Sequence, residues 1–338
     1  MEPPPVQYVT TAKGVRIAYS VRGAGRPLVF LGPALGGMAH PWRFYPDWMA
    51  GLTERFSLIQ HDMYGHGLSE RGLPADYAVG DDDQAIDAIL ARLRLDRFLL
   101  YGLSGVGHAA VRYAAAHPER VEALILNGTV VSPGAPSFYQ GVAAENWEFF
   151  LRSFVPASVG PEESQRWFEG VRDSTTYEDW RIRARVASES NVLDLLPRLR
   201  VPTLVLHARG LALTPPGGAS RIAALIPDAR LILLNGDNYM GDATEGLAAI
   251  EALLAGITAE TEAAARGDAE PQVRLSAREN EVLGLIARGL SNQLIADELV
   301  ISLRTVERHI NHIYEKIGVH SKAQATAYAL QHRPATNA

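Results

Sequence analysis

The chain carries two hydrophobic periods. Up to about residue 255, short apolar runs of strand length alternate with longer stretches whose apolar residues recur every three or four positions. Segments 16–20, 27–31, 57–61, 98–101, 123–126, 203–206 and 230–234 read as strands, and their alternation with helix-like stretches predicts a largely parallel sheet covered by helices. Residues 132–199 interrupt the alternation with helix-like segments carrying Phe138, Tyr139, Trp147, Phe149, Phe150, Trp167 and Trp180. Aromatics at helical spacing are usually plain core; roughly half of these are assigned there and the rest to the lining of a cavity.

From residue 274 the strand period is gone, and helix start and stop signals follow at close intervals. Ser276 with Glu279 makes a capping box, Val282, Leu283 and Ile286 give an apolar stripe, and Gly289 ends the first helix. Ser291 opens a short second helix with Leu294, Ile295 and Leu299, Ser302 opens a third that runs to Gly318, and Ser321 with Gln324 caps a fourth. The third helix has two faces. Val306, Ile310, Ile313 and Ile317 form a stripe to be buried, whereas Arg304, Arg308, Asn311 and Glu315 repeat the same spacing on another side. Arginine can donate twice to guanine and asparagine can pair bidentately with adenine, so this side is equipped for a major groove. On spacing alone, an ordinary solvated face fits as well.

Composition narrows the class. The 338 residues are 47% hydrophobic and 21% charged, the balance of a globular chain, and no stretch approaches the roughly 18 uninterrupted apolar residues of a membrane helix. The start, Met-Glu-Pro-Pro-Pro, lacks a basic and an apolar leader region, and there are no cysteines, so disulfide and thiolate chemistry are excluded and a cytoplasmic location is expected. Residues 274–333 hold eight Lys/Arg against six Asp/Glu, leaving 24 against 32 elsewhere: the tail is +2 and the rest −8. Between them, "AGITAETEAAARGDAEPQ" lacks a sustained apolar face and reads as a linker with room for a short helix inside it. The expected layout is a body over 1–255 with its helical insertion at about 132–199, a linker over 256–273, and an all-α tail over 274–333.

The body's chemistry centres on "YGLSGVGHAAVRYAAAHPERVEALIL". A buried strand ends near Tyr101, Ser104 sits on a glycine-flanked turn, and an alanine-rich helix follows at once, which is the layout of a nucleophile elbow. Together with "GPALGG", "HDMYGHGLS" and "VPTLVLHARGLALTPP", this stretch resembles the α/β-hydrolase family over about residues 8–255. The resemblance implies an α/β-hydrolase fold with a helical lid, an oxyanion loop at Ala34, and a serine, acid and histidine at the strand ends. The family's pattern fails at the last two. The acid, four residues before the loop proline Pro215, is Leu211, and the histidine slot within "LILLNGDNYMGDATEG" is Tyr239. Val106 also stands where the elbow usually has a small residue.

A serine hydroxyl is a weak nucleophile without an adjacent base, and a tyrosine hydroxyl near pKa 10 is neutral at pH 7, so efficient hydrolysis is not expected. His40, His108 and His207 read as packing or surface histidines rather than relocated bases. Ala34, Ser104, Gly105, Leu211, Tyr239 and Met240 are instead expected to line a pocket for a small neutral, carbonyl-bearing ligand.

The tail, "LSARENEVLGLIARGLSNQLIADELVISLRTVERHINHIYEKIGVHSKAQATAYAL", resembles the LuxR/FixJ-type helix-turn-helix along essentially its whole length. That resemblance implies a small four-helix DNA-binding domain. It carries base-facing roles to Glu307, Arg308 and Asn311 and phosphate-facing roles to Gln293, Arg304, Thr305 and Lys316.

The expectation is therefore a ligand-responsive transcription regulator that binds double-stranded DNA as a homodimer, with RNA polymerase as a further partner, no membrane, and neither metal nor organic cofactor. Two other readings stand beside it: an active serine hydrolase with an unconventional base that also regulates transcription, and a body serving as a protein-interaction module whose pocket is a relic.

Overall fold

A computed structural model of the chain describes residues 5–33, 35–78, 80–129, 142–154, 161–189, 192–211, 216–266 and 275–331. All seven strands expected from the sequence are present: β2 (Arg16–Arg22), β3 (Arg26–Leu31), β4 (Phe56–His61), β5 (Phe98–Leu103), β6 (Val121–Asn127), β7 (Thr203–Ala208) and β8 (Arg230–Leu234). An eighth, β1 (Val6–Thr10), precedes them. The sheet order is β1-β2-β4-β3-β5-β6-β7-β8; β2 runs antiparallel to both neighbours and the remaining pairs are parallel. The central strands are mostly apolar because both faces are covered: every residue of β5 and β7 is buried.

Helices α1 (His40–Phe44), α2 (Pro46–Arg55), α3 (Asp81–Leu93) and α4 (Gly107–Ala116) lie between the early strands. The lid falls in the expected place, between β6 and β7, as α5 (Trp147–Phe154), α6 (Pro161–Ser174) and α7 (Tyr177–Glu189). Phe138 and Tyr139 lie outside the described residues. Of the remaining lid aromatics, Phe150 and Trp167 are buried, Trp147 and Trp180 are half-buried in the same cluster, and Phe149 is exposed. Arg183 of α7 ties the lid to the body through a half-buried pair with Asp82 at the start of α3 (2.9 Å), which Tyr77 also hydrogen-bonds. Burial pushes the Asp82 carboxyl up, but the Arg183 guanidinium beside it outweighs that and holds it below the ordinary range.

After α8 (Gly217–Leu225) and β8, helix α9 runs over Ala243–Arg266. It carries straight through residues 256–266, which composition assigned to the linker. Alanine and glutamate favour a helix even without an apolar face, and α9 is already nucleated by its packed first half.

The tail folds as α10 (Ala277–Ala287), α11 (Asn292–Leu299), α12 (Leu303–Ile317) and α13 (Lys322–Gln331) around a core of Val282, Ile286, Ile295, Val306 and Ile313. The capping box is complete: the Ser276 hydroxyl accepts from the Glu279 amide (3.0 Å) and the Glu279 carboxylate accepts from the Ser276 amide (2.8 Å). Ser291 and Ser302 cap α11 and α12, and Gly318 ends α12 with φ 67°.

The C-cap of α11 breaks the rule that Gly318 follows. Val300 takes φ 54° there and is 89% exposed, so a β-branched residue occupies a left-handed position with little packing in return. Val300→Gly removes a cost of about 1–2 kcal/mol at the price of roughly 0.5–1 kcal/mol of unfolded-chain entropy. A net gain of up to about 1 kcal/mol is expected, read as a rise of a few degrees in the melting of the C-terminal domain. An unchanged or lower transition would show that Val300 is not strained.

Candidate functional site

In the body, the elbow is formed. Leu103 is extended (φ −98°, ψ 129°), Ser104 takes the left-handed φ of 55°, and α4 begins at Gly107. A strained serine at the end of a central strand is what presents a hydroxyl above a sheet. The turn closes because Gly102 and Gly107 lack side chains. A Cβ on Gly102 would fall 2.8 Å from the Ala110 side chain, and one on Gly107 only 2.1 Å from the Thr129 hydroxyl. Val106, the departure from the family's small residue, points into the core instead of blocking the turn.

The loop after β3, which the resemblance assigns as the oxyanion loop, is held from two sides. The amide of Gly36 donates to the Ser174 hydroxyl of the lid (3.1 Å), and that of Met38 to Asp62 (2.6 Å). Asp62 also accepts from the Leu68 amide (2.8 Å), and it excludes side chains at Gly37 and Gly67. Burial pushes the Asp62 carboxyl up, against those backbone donors that favour its charged form. Ala34 itself lies outside the described residues.

Leu211, which the resemblance assigns to the acid position, follows β7 and is 2% exposed. Tyr239 lies in the β8–α9 loop, half-buried against the core cluster beneath α2 and α9, and its backbone crosses Gly128 so closely that a Cβ there would meet the Tyr239 carbonyl at 2.9 Å. The loop is pinned by residues that sequence reasoning missed. Asn127 Nδ2 donates to Tyr101 Oη (2.7 Å) and to the Met240 carbonyl (3.0 Å), Trp48 Nε1 donates to the Gly241 carbonyl (2.8 Å), and Asn238 Oδ1 accepts from the amides of Met240 and Gly241, both at 2.9 Å. The Met240 side chain is fully buried in that core. An Asn in a turn-rich run was a readable signal for such pinning; the long-range partners Asn127 and Trp48 gave none.

His40 is buried, and its Nε2 accepts from Trp167 Nε1 of the lid (2.7 Å). Burial, helped by nearby Arg43, pushes it down to about 3, so it stays neutral and acts as an acceptor. His207 is buried within β7, and His108 is half-buried on α4. A cleft of about 290 Å³ opens between the start of α2 and the β8–α9 loop, with Tyr45, Trp48, Asn238 and Asp242 on its walls. Residues 130–141, 155–160 and 212–215 lie outside the described residues.

In the tail, α12 divides as its sequence predicts. Val306, Ile310 and Ile313 are buried, and Arg304, Glu307, Asn311 and Glu315 are exposed. Arg308 is half-buried with its Nη2 unpartnered; burial, with Arg304 nearby, holds its guanidinium below the ordinary range. A partly desolvated donor edge without a protein acceptor is poised for an external one. His309, on the buried side, is pushed down to about 4 by burial, aided by Arg308. Among the phosphate-facing candidates, Arg304 is exposed, Gln293 donates to Asp297 (2.9 Å), the Thr305 hydroxyl lies 2.7 Å from that of Ser302, and Lys316 donates to the buried Glu279 (2.7 Å).

Residues 27–238 match the family model described as alpha/beta hydrolase fold, and residues 273–329 match that of bacterial regulatory proteins, luxR family. The chain belongs to the α/β-hydrolase fold family and carries a LuxR-family regulatory domain at its C-terminal end. This domain is a DNA-binding helix-turn-helix of the kind used in transcription regulation. Among curated relatives, the chain is 27% identical over 219 residues to a pimeloyl-[acyl-carrier protein] methyl ester esterase of Nitrosomonas europaea, covering 58% of this chain and 84% of the esterase. It is 33% identical over 115 residues to the oxygen regulatory protein NreC of Staphylococcus aureus, which is 34% of this chain and about half (53%) of NreC. The esterase RhEst1 of a Rhodococcus species superposes with a TM-score of 0.63 at 23% identity, over 75% of this chain and 99% of that one. An enol-lactonase of Burkholderia xenovorans gives 0.60 at 21%, over 76% and 98%. These likenesses show the shared hydrolase fold. No helix among the described residues is long and apolar enough to cross a membrane.

Proposed function

We propose that the chain is a ligand-responsive transcription regulator whose hydrolase-fold body binds a small neutral molecule without cleaving it. The observation that carries this reading is the pairing of a formed elbow with Leu211 and Tyr239 at the acid and histidine positions. Ser104 keeps its strained geometry but has neither a base nor an orienting carboxylate at the expected places. The replacements remove a buried charge and a titrating group, so the site favours a neutral guest. The hydroxyls of Ser104 and Tyr239, with the amides of Ala34 and Gly105, suit a carbonyl oxygen, and a lactone, ester or ketone supplies one.

The regulator works in the cytoplasm, binds two half-sites about one helical turn apart as a homodimer, and acts on RNA polymerase from there. The ligand changes DNA affinity only as far as it binds one arrangement of the two domains better than another. The intact elbow is what favours the second reading, a serine hydrolase with an unconventional base.

The test is titration of the full chain with neutral lactones, esters and ketones and with the carboxylates their hydrolysis would give. Leu211 is too well packed for a charged substitution to report on binding alone, so Ser104→Ala and Tyr239→Phe are the informative variants. Neutral guests should bind and the anions should not. Each variant should weaken binding about threefold to tenfold, the worth of one hydrogen bond of roughly 0.5–1.5 kcal/mol. Preference for the anions, or binding indifferent to both hydroxyls, would overturn the sensor.

A further inference from the structure

Three large hydrophobic side chains of the C-terminal domain stand in solvent, and all lie between α11 and the first turn of α12: Leu294 (55% exposed), Val300 (89%) and Leu303 (39%). The other large apolar side chains described in this domain are buried or half-buried around its core. The exposure is therefore local, and its place is the edge from which a helix-turn-helix meets its nucleic acid.

Leu303 is the one of the three that belongs to α12. It is the first residue of that helix, and the Ser302 hydroxyl accepts from the Thr305 amide (3.2 Å), so the helix begins in a fixed geometry. Steps of four residues from Leu303 lead to Glu307 and then Asn311, both exposed, and the three share one stripe of the helix. Val300 in the turn and Leu294 on α11 do not share it. Two members of the stripe are polar groups able to read base edges, whereas the third can offer only apolar surface. The apolar group a major groove presents in return is the C5-methyl of thymine.

We propose that Leu303 is a specificity-determining residue that reads a thymine methyl in the operator; this rests on the reading of α12 as the helix that enters the DNA. Four residues of helix rise about 6 Å, and base pairs are stacked about 3.4 Å apart, so the thymine lies within about two base pairs of the base read by Glu307. Withdrawing one methyl from water changes affinity about fourfold.

The full chain is first used to select its preferred duplex from random DNA. Each thymine of a half-site is then replaced singly by deoxyuridine, which deletes the methyl and leaves every hydrogen-bonding group in place. Wild type should lose about fourfold at one thymine, within about two base pairs of the position whose identity Glu307→Ala relaxes. Leu303→Ala should bind the thymine and uracil duplexes equally, and as wild type binds the uracil one. Alanine is a better helix former than leucine at this exposed site, so an unchanged melting temperature confirms that the variant folds. The proposal is overturned if wild type tolerates uracil at every thymine, if the selected half-site holds no thymine in that window, or if Leu303→Ala keeps the discrimination. A chain that selects no sequence overturns the DNA-reading role and this proposal together; normal selection without thymine–uracil discrimination overturns Leu303 alone.

Discussion

Ser104→Ala is expected to leave the hydrolysis of an activated ester such as p-nitrophenyl acetate unchanged, with both proteins near the background rate. A serine on a correctly strained turn is half of a nucleophile; the other half is a base that removes its proton as the bond forms. On the proposed reading the resemblance puts Tyr239, a phenol and not an imidazole, at the histidine position, and Leu211 at the acid position has no carboxylate with which to orient a base. Loss of triad members costs roughly 10⁴- to 10⁶-fold in rate even where the oxyanion site survives. His40, the histidine that directly follows the oxyanion loop, has its Nε2 committed to Trp167. A phosphonate probe that labels activated serines should likewise leave the mass of the protein unchanged. A rate that falls at least tenfold on removal of Ser104, or labelling that vanishes with it, would establish a working base and favour the hydrolase reading.

Where a residue's role is set by neighbours in sequence, it could be read from the sequence; where distant elements set it, it could not. The six internal strands are largely buried on both faces, so their hydrophobic runs announce them, whereas the edge strand β8 shows itself by its run of Leu and Ile although only Leu234 is buried. Strand β1 pairs only with β2 at the sheet edge and is almost wholly exposed, so it leaves no such run. The caps at Ser276, Ser291 and Ser302 are local chemistry and were legible to the residue. Residues 256–266 were read as a linker with room for a short helix; that they instead continue α9 without a break was not legible, because the helix is nucleated by the packed residues before them. At the elbow, the position of Ser104 was legible, but the exclusion of side chains at Gly102 and Gly107 depends on Ala110 and Thr129 packed in three dimensions. The anchoring of the Tyr239 loop by Asn127 and Trp48 spans more than a hundred residues of chain and carries no sequence period.

Lys316 is where that distinction has its largest consequence. The resemblance assigns it to a phosphate, but its Nζ donates to Glu279, whose side chain is 2% exposed and also completes the capping box of α10. Lys316→Ala is therefore expected to destabilise the C-terminal domain by about 2 kcal/mol, below the 3–5 kcal/mol typical of breaking a fully buried pair because Glu279 keeps its bond to the Ser276 amide. A second carboxylate, Asp228, lies 3.8 Å from the same nitrogen but is well exposed and adds little. DNA binding should weaken on specific and random duplexes alike, with the salt dependence shallower by about one counterion. Glu279→Gln separates the two roles, since glutamine still closes a capping box while it frees the lysine from its partner. This variant should lose less stability and should bind DNA at least as tightly as wild type. Burial pushes the Glu279 carboxyl up, but its bonds to Lys316 and Ser276 outweigh that and hold it below its ordinary value of 4.5. The unfolded chain therefore takes up the proton first, so the stabilisation from Glu279 is fully present above that value and is lost as pH falls through the lower folded one. The gap in melting temperature between wild type and Glu279→Gln should thus be constant above about pH 5.5 and close progressively below about pH 4.5. If Lys316→Ala melts as wild type does, or if the gap persists unchanged at pH 3, Lys316 is a phosphate contact alone and the pair contributes nothing to the fold.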